Sequence, residues 1–441
     1  MDQGIYVEGA RFTPYWWEAA PRPEPAPVAP PASVDVVVIG AGITGLSAAL
    51  SLSRGGRSVV VFEAGAVGEG ASSRNGGMCG GAFKIAFSEL AAKIGAEAAA
   101  EIWRDGCRAL DFLADLIARE GIQCHFARMG RFVGAHTPGH YEAMARETEL
   151  WRRHVGIEAD MLPRAEQGAE IGSPVYHGGR LIHRDGGLHP GLYHQGLYDR
   201  ATAAGALVAA DTPVTAVARE GQGFTVTTPR GRMTARDVIV ASNGYTGRAT
   251  PYFRRRLIPV GSFMIATEPL PAETMARLIP KGRMITDTKR ILSYYRPSPD
   301  GTRILFGGRA AYGQNEDLRR TGAILRDHMC RIFPELEGTR LTHSWTGNVA
   351  FTFDRMPHVG VHDGLHYAIG YCGSGVVKAT YYGHKTALKV LGDKDAATAL
   401  DGRPFPSLPF YSGDPWFLPL VATYYHALDR LAGGQSRGAR S

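Results

Sequence analysis

The run Val34-Asp-Val-Val-Val-Ile-Gly40, continued by Ala-Gly42-Ile43-Thr44-Gly45, constrains this chain more than any other stretch. An unbroken β-branched run is the pattern of a strand buried on both faces in a parallel sheet. Leu46 to Gly56 repeats its apolar residues at helical spacing and stops on a glycine pair. Arg57 to Gly65 then reads as a second strand, with Glu63 and Ala64 at its end, Glu63 lying 18 residues beyond Gly45. Together these make a βαβ unit with a right-handed crossover. In such a unit Gly40 permits the tight turn, Gly42 lets backbone approach a pyrophosphate, and Gly45 lets helix and strand pack closely. The free N–H groups at the helix start, around Ile43 and Thr44, attract the anion, and Glu63 can accept a hydrogen bond from a ribose 2′-OH.

Two further glycine motifs decide which dinucleotide. Gly70-Ala71-Ser72-Ser73-Arg74-Asn75-Gly76-Gly77 follows the acid directly, where a typical NAD domain runs on toward its next helix. Hydroxyls and backbone N–H groups of Ser72, Ser73, Asn75 and Gly76 can reach phosphate and flavin atoms, which favours FAD. Gly370-Tyr-Cys-Gly373-Ser374-Gly375 leads into a helix expected from about Val376 to Leu391. A second glycine-led helix start aims donors and positive potential at one point. In a flavoprotein that point can be the N1–C2=O edge of the isoalloxazine, which gains negative charge on reduction. The chain holds 56 glycines in 441 residues, well above the usual ~7%.

Composition narrows the class further. With 49 Lys+Arg against 42 Asp+Glu the net charge is only +7, and no block of five like charges occurs; Arg254, Arg255 and Arg256 are the densest basic run. That argues against a nucleic-acid partner. Cys79, Cys107, Cys124, Cys330 and Cys372 are odd in number and widely spaced, which fits neither a disulfide framework nor a zinc site and suits a reduced compartment. His183, His189, His343, His358 and His384 lack ligand spacing, so no metal is expected, and no GxSxG supports hydrolysis. No basic, then apolar, segment opens the chain. The longest apolar stretch, Val34 to Leu52, is broken by Asp35 and glycines. A cytoplasmic protein without a membrane partner is expected; oligomeric state is not legible.

The expected organisation is an α/β fold with α+β inserts, in which a Rossmann-type domain is interleaved with a mixed-sheet domain. Residues 1–33 read as an aromatic leader (Tyr15, Trp16, Trp17) and a tether with six prolines. Residues 34–90, 185–250 and 345–395 form the cofactor domain, 91–184 and 251–344 the substrate domain, and 396–441 a C-terminal extension. Within these, 88–120, 140–170 and 317–333 read as helical, 121–133 as a strand pair, and 212–242 as a β-meander returning to a buried strand.

The segments GEGASSRNGG, GGLHPGLYHQGL, YYRPSPDGTRILFGG, SWTGNVAFTFDRMPHVG and GYCGSGV resemble the D-amino-acid-oxidase superfamily of FAD enzymes, and within it the γ-glutamylputrescine oxidoreductase branch, over nearly the whole chain. The resemblance implies oxidation of a small-molecule amine at its C–N bond. Hydride passes to flavin N5, the imine hydrolyses to aldehyde and ammonia, and O2 or an electron carrier reoxidises the flavin. Amino-acid or N-methyl-amine oxidation of the sarcosine or glycine type is the alternative. The resemblance places the pyrophosphate at Gly40, Gly42 and Gly45, the ribose at Glu63, and adenine at the backbone of Val214 in a strand. It places the flavin by Ser73, Asn75 and Gly76, with Gly244 approaching it and Gly373 to Val376 at its pyrimidine end. Relatives often read GYSGHGV, so Ser374 stands where a histidine is common. No cysteine lies in SWTGN, the segment where covalent relatives carry the linking residue, so noncovalent FAD is expected. Candidate substrate-pocket residues are Tyr294, Tyr295, Arg296, Trp345, Asn348 and Ser374: aromatic walls for a polymethylene amine, and an arginine for a distal carboxylate. No catalytic base is assigned.

Overall fold

The computed structural model describes residues 4–24, 30–290, 292–310 and 317–418. Two sheets organise these residues. In the first, strands Ser33–Ile39, Val59–Phe62 and Leu207–Ala209 run parallel, and Gly231–Val240 joins them along the other edge of Ser33–Ile39. The ten-residue strand Gly231–Val240 changes neighbours along its length. Its first half pairs antiparallel with Gly223–Thr228, and its last three residues pair parallel with Leu365–Ile369. Helices Ile43–Arg54, Pro190–Ala203, Gly375–Leu391 and Ala96–Glu120 bury their apolar faces on one side of this sheet around Val36, Val38, Val59 and Val61. The other side carries Val37, Val60 and Phe62 against Phe224, Val226 and Met233 of the meander. Alternate side chains pointing to opposite, equally apolar faces account for the unbroken Val/Ile run.

The second sheet has nine strands: Tyr6–Arg11, Leu341–Phe351, Ile258–Thr267, Ile304–Gly308, Tyr294–Pro297, Met284–Asp287, Arg131–Gly134, Gly179–Ile182 and Ala159–Leu162, in that spatial order. Its period-2 alternation separates two functions. Phe263, Ile265, Ile285, Tyr295 and Phe306 face a core closed by helix Leu318–Ile332. Met264, Ala266, Leu305 and Trp345 face the other way, where they meet Trp16 of the leader. Cross-strand pairs on each face supply most of such a sheet's stability.

Several expectations need correction. The domain boundary placed at residue 345 falls inside strand Leu341–Phe351, which belongs to the nine-stranded sheet. The leader supplies that sheet's edge strand Tyr6–Arg11, paired parallel with Leu341–Phe351, and buries Trp16 completely. Of the strand pair read over 121–133, only Arg131–Gly134 forms, with a single bridge from Ala127 to Gly187. The Ala-rich 88–120 stretch is two helices, Phe87–Ile94 and Ala96–Glu120, broken at Gly95, whose φ of 87° a helix cannot continue through. Helix Pro138–His154 stops well short of residue 170, and Ala159–Leu162 is a strand beyond it. Residues 1–3 of the leader, 25–29 of the tether and 419–441 of the extension lie outside the described residues. Among the described residues no helix is long and apolar enough to cross a membrane.

Candidate active site

The first glycine turn is built by contact distances. Gly40, at φ 104°, donates its N–H to the Phe62 carbonyl at 2.8 Å. A Cβ on Gly45 would lie 1.9 Å from the Gly40 carbonyl oxygen, and one on Gly42 would lie 2.8 Å from the Ser72 hydroxyl. Bare backbone therefore faces Ser72 at the opening of helix Ile43–Arg54, and the Ile43 N–H donates to Ser72 Oγ at 3.0 Å. Ser72, from the second glycine motif, thus sits on the helix N-terminus that the first motif creates. Glu63 lies beside this turn, accepting from the Ala41 and Ala64 N–H groups at 2.8 Å each. Burial pushes its carboxyl above the usual range, with those backbone donors opposing the shift.

The third motif meets the first directly. Thr44 Oγ1 lies 2.8 Å from the Tyr371 hydroxyl, and the tyrosine donates onward to the Ala368 carbonyl at 2.7 Å. Cys372 turns the chain at φ 52° and Gly373 at φ 92°. Ser374 then precedes helix Gly375–Leu391 with no side-chain cap, so its first N–H groups have no hydroxyl claiming them. Gly373 is exposed and lies 4.0 Å, from its notional Cβ, to Val349 of the second sheet. Val376 is buried behind it. The Gly244 turn joins the same place: Asn243 Oδ1 accepts from Gly370 N–H at 2.8 Å, and a Cβ on Gly244 would meet the Asn348 carbonyl at 3.1 Å.

The remaining cofactor candidates divide. Asn75 accepts from Gly77 N–H at 2.8 Å and donates to the Ala71 and Ser72 carbonyls, fixing the loop that presents Gly76. The Gly76 α-carbon faces the Tyr294 ring. Ser73 does not reach the site: it is fully buried, receives the Trp17 indole N–H at 2.8 Å and donates to the Gly68 carbonyl at 2.5 Å. Val214 lies in the loop before strand Ala216–Glu220 rather than in a strand.

Of the substrate candidates, Tyr294, Asn348 and Ser374 are partly exposed, and the other three are buried. Tyr294 is half-buried, its ring against Gly76 and Gly307 and its hydroxyl 3.0 Å from Ser262. The Asn348 backbone N–H donates to the Tyr245 hydroxyl oxygen at 3.2 Å. Tyr295, one residue on, points to the opposite face, stacks on Phe306 and shares a hydrogen bond with Tyr176 in the core. Trp345 is 1% exposed and donates its indole N–H to the Arg74 carbonyl at 2.9 Å, a strut between the nine-stranded sheet and the second glycine motif. Arg296 is 3% exposed and spends its guanidinium on the Leu188 and Gly77 carbonyls, at 2.8 and 3.5 Å. Burial lowers its pKa to about 10. These three side chains were legible as aromatic or basic, but strand parity and interdomain contacts decided their direction.

Sequence reasoning passed over Asn243, Tyr245 and Tyr371. Asn243 and Tyr245 flank a glycine that was noticed, and Tyr371 lies inside the third glycine motif.

A model of the family described as FAD dependent oxidoreductase matches residues 35–388. The chain belongs to this family. It is an FAD-dependent oxidoreductase, and the residues around Gly40, Gly42, Glu63 and Gly373 fit the dinucleotide: bare α-carbons, a half-buried acceptor and two helix starts joined through Thr44 and Tyr371. Gamma-glutamylputrescine oxidoreductase of Escherichia coli K12 is 32% identical over 404 residues, covering 90% of this chain and 93% of that protein. The probable oxidoreductase OrdL of Rhizobium meliloti is 31% identical over 431 residues, covering 94% and 97%. The crystal structure of glycine oxidase from Geobacillus kaustophilus superposes with a TM-score of 0.72 at 23% identity, over 86% of this chain and 99% of that one. L-amino acid deaminase from Proteus vulgaris gives 0.69 at 19% identity, over 92% and 97%. These structures share the fold, with its two interleaved sheets.

Proposed function

We propose that this oxidoreductase acts on the carbon–nitrogen bond of a small amine, and that the amine is γ-glutamylputrescine or a close analogue. The similarity to the E. coli enzyme over most of both chains supports the substrate. The observation that carries the reaction is the junction of the two glycine-led helix starts through Thr44 and Tyr371, with Tyr294 against Gly76 and Val349 beside Gly373. Bound near Gly40, Gly42, Glu63 and Gly373, FAD would supply the acceptor for a hydride from the amine carbon; the imine so formed would hydrolyse to aldehyde and ammonia, and dioxygen or an electron carrier would take the electrons.

The chain's own part is orientation and electrostatics. The first N–H groups of helix Gly375–Leu391, which no N-cap side chain claims, would stabilise negative charge on a flavin bound beside them. The Tyr294 ring offers an apolar wall, and its phenol, pushed up to about 12 by burial, stays neutral and held by Ser262. The amine binds deprotonated, so no side chain serves as base. The cofactor is held without a covalent bond: Cys372, raised to about 11 by burial, directs its thiol to Gly370 and Thr352, and Cys79 is wholly buried with its pKa raised further.

Anaerobic addition of γ-glutamylputrescine, beside putrescine, sarcosine, glycine and D-alanine, tests the reading. Loss of the long-wavelength flavin absorption with the γ-glutamyl amine is the expected result. Bleaching by glycine or sarcosine instead would move the substrate within the same chemistry, and no bleaching by any of the five would sink the amine reading.

A further inference from the structure

Where the leader passes into the proline tether, Arg22 folds back against the protein. Its Nη2 donates to the Ala20 carbonyl at 2.5 Å, and its guanidinium carbon lies 5.5 Å from the centre of the Trp17 ring. Nε and Nη1 are shut off from solvent and have no hydrogen-bond partner, and no carboxylate pairs with Arg22 among the described residues. Burial, and after it the charge of Arg74, lowers its pKa to about 10, so the group remains a cation at neutral pH.

Arg22 stands behind the first glycine turn. A Cβ on Gly68 would lie 2.5 Å from Arg22 Nη1 and 2.6 Å from His194 Nδ1, so both side chains close on one point of the loop that follows Glu63. His194 Nε2 donates to the Ala41 carbonyl at 2.8 Å, inside the Gly40–Gly42 turn. Gly68 itself accepts from Ser73 Oγ at 2.5 Å, and Ser73 adjoins the Ser72 that rests on the start of helix Ile43–Arg54. The guanidinium is thus tied to the turn through a single side chain, and to the second glycine motif through a single residue of backbone.

The charge around it is one-sided. Arg74 lies 4.7 Å from the centre of the same Trp17 ring and donates to the Glu69 and Thr346 carbonyls; its acid, Glu69, is 4.0 Å away and exposed. Two guanidiniums therefore share one indole. The adjoining histidines, His189 and His194, are lowered to about 4 by burial and are neutral, and His194 Nδ1 has no partner either. A desolvated cation without an acid is costly to keep. The pyrophosphate of a dinucleotide, drawn to the free N–H groups of the helix start, brings the missing negative charge to this side of the molecule.

We propose that Arg22 balances the pyrophosphate charge of bound FAD, which makes the leader a working part of the cofactor site as well as an edge strand. Trp17 docks the leader on the loop by donating its indole N–H to Ser73 at 2.8 Å, and Arg22 supplies the charge. The role concerns the cofactor and holds whatever amine is oxidised.

The test compares full-length wild type, Arg22→Met and Arg22→Lys. Release of FAD from the holoenzyme on dilution is followed by the rise in free-flavin fluorescence, and ADP and adenosine are titrated as competitors for FAD rebinding. Arg22→Met is expected to raise the Kd of FAD at least tenfold and that of ADP in proportion, while adenosine, which has no phosphate, stays within about twofold. Arg22→Lys is expected to stay within about threefold of wild type for FAD and ADP. Thermal melting gives a readout with opposite signs. Flavin-free Arg22→Met should melt no lower than flavin-free wild type, because it has lost an unpaired desolvated charge, whereas its FAD form should melt below the wild-type holoenzyme. A leader that only clips the fold together predicts lower melting in both forms, and that result overturns the proposal. Unchanged FAD release, equal weakening of ADP and adenosine, or a lysine variant no better than the methionine one overturns it as well.

Discussion

The Thr44 hydroxyl and the Tyr371 phenol meet at 2.8 Å, so residues 327 positions apart join the two helix starts that face the cofactor cleft. Because the tyrosine proton goes to the Ala368 carbonyl, Thr44 is the donor in the pair. A double-mutant cycle with Thr44→Val and Tyr371→Phe should show a coupling of about 1 kcal/mol in urea unfolding, the usual worth of a buried neutral hydrogen bond. Both single variants should also retain less flavin after dialysis. Strict additivity would mean that the contact does not link the two turns.

Gly45→Ala places a methyl 1.9 Å from the Gly40 carbonyl, a contact only backbone movement can relieve. Overpacking of this kind costs about 1–3 kcal/mol. Here the movement spreads the turn that cradles the pyrophosphate. The purified variant should carry a small fraction of the wild-type flavin and melt several degrees lower; full flavin content would show that the turn tolerates widening.

Arg296 reads as a substrate ligand in the sequence and as an interdomain strut in the structure, which separates two outcomes. Arg296→Met leaves the buried Leu188 carbonyl without its 2.8 Å donor and should lose about 1–3 kcal/mol of stability. Michaelis constants of the folded enzyme should stay within about twofold of wild type. A large rise in KM with unchanged stability would return Arg296 to the pocket.

Lys378 gives a pH signature. Burial lowers its ammonium to about 7, against 10.5 for the unfolded chain. Between these values the unfolded state holds the extra proton, so this residue makes stability rise with pH through that window. The burden is fully present below pH 7. The melting temperature of wild type relative to Lys378→Met should therefore climb between about pH 7.5 and 9.5, by at most about 1.4 kcal/mol of stability per pH unit. A constant difference across that range would place the lysine in contact with water.

How far the sequence discloses this molecule depends on how local the determining physics is. Gly40, Gly42 and Gly45 are legible because turn, helix start and close packing are set within a few residues, and Glu63 because a strand carries it back beside the turn. Leu341–Phe351 was divided at residue 345 because its membership depends on Tyr6–Arg11 and Ile258–Thr267, both distant in sequence. Tyr294 and Tyr295 have the same chemistry, and only the parity of their strand sends one to the cleft and the other to Tyr176. Ser73 reads as a cofactor ligand by motif position, yet the Trp17 indole of the leader claims it.

The parallel pairing of Tyr6–Arg11 with Leu341–Phe351 also orders events in time. At about 5–20 residues per second of synthesis, the leader leaves the ribosome tens of seconds before its partner strand exists. Through that interval the edge strand has no neighbour to pair with, and Trp16 lacks Trp345, the last of its core contacts to be made. A chain stalled before residue 341 would leave that edge open, an aggregation hazard that its own final quarter removes.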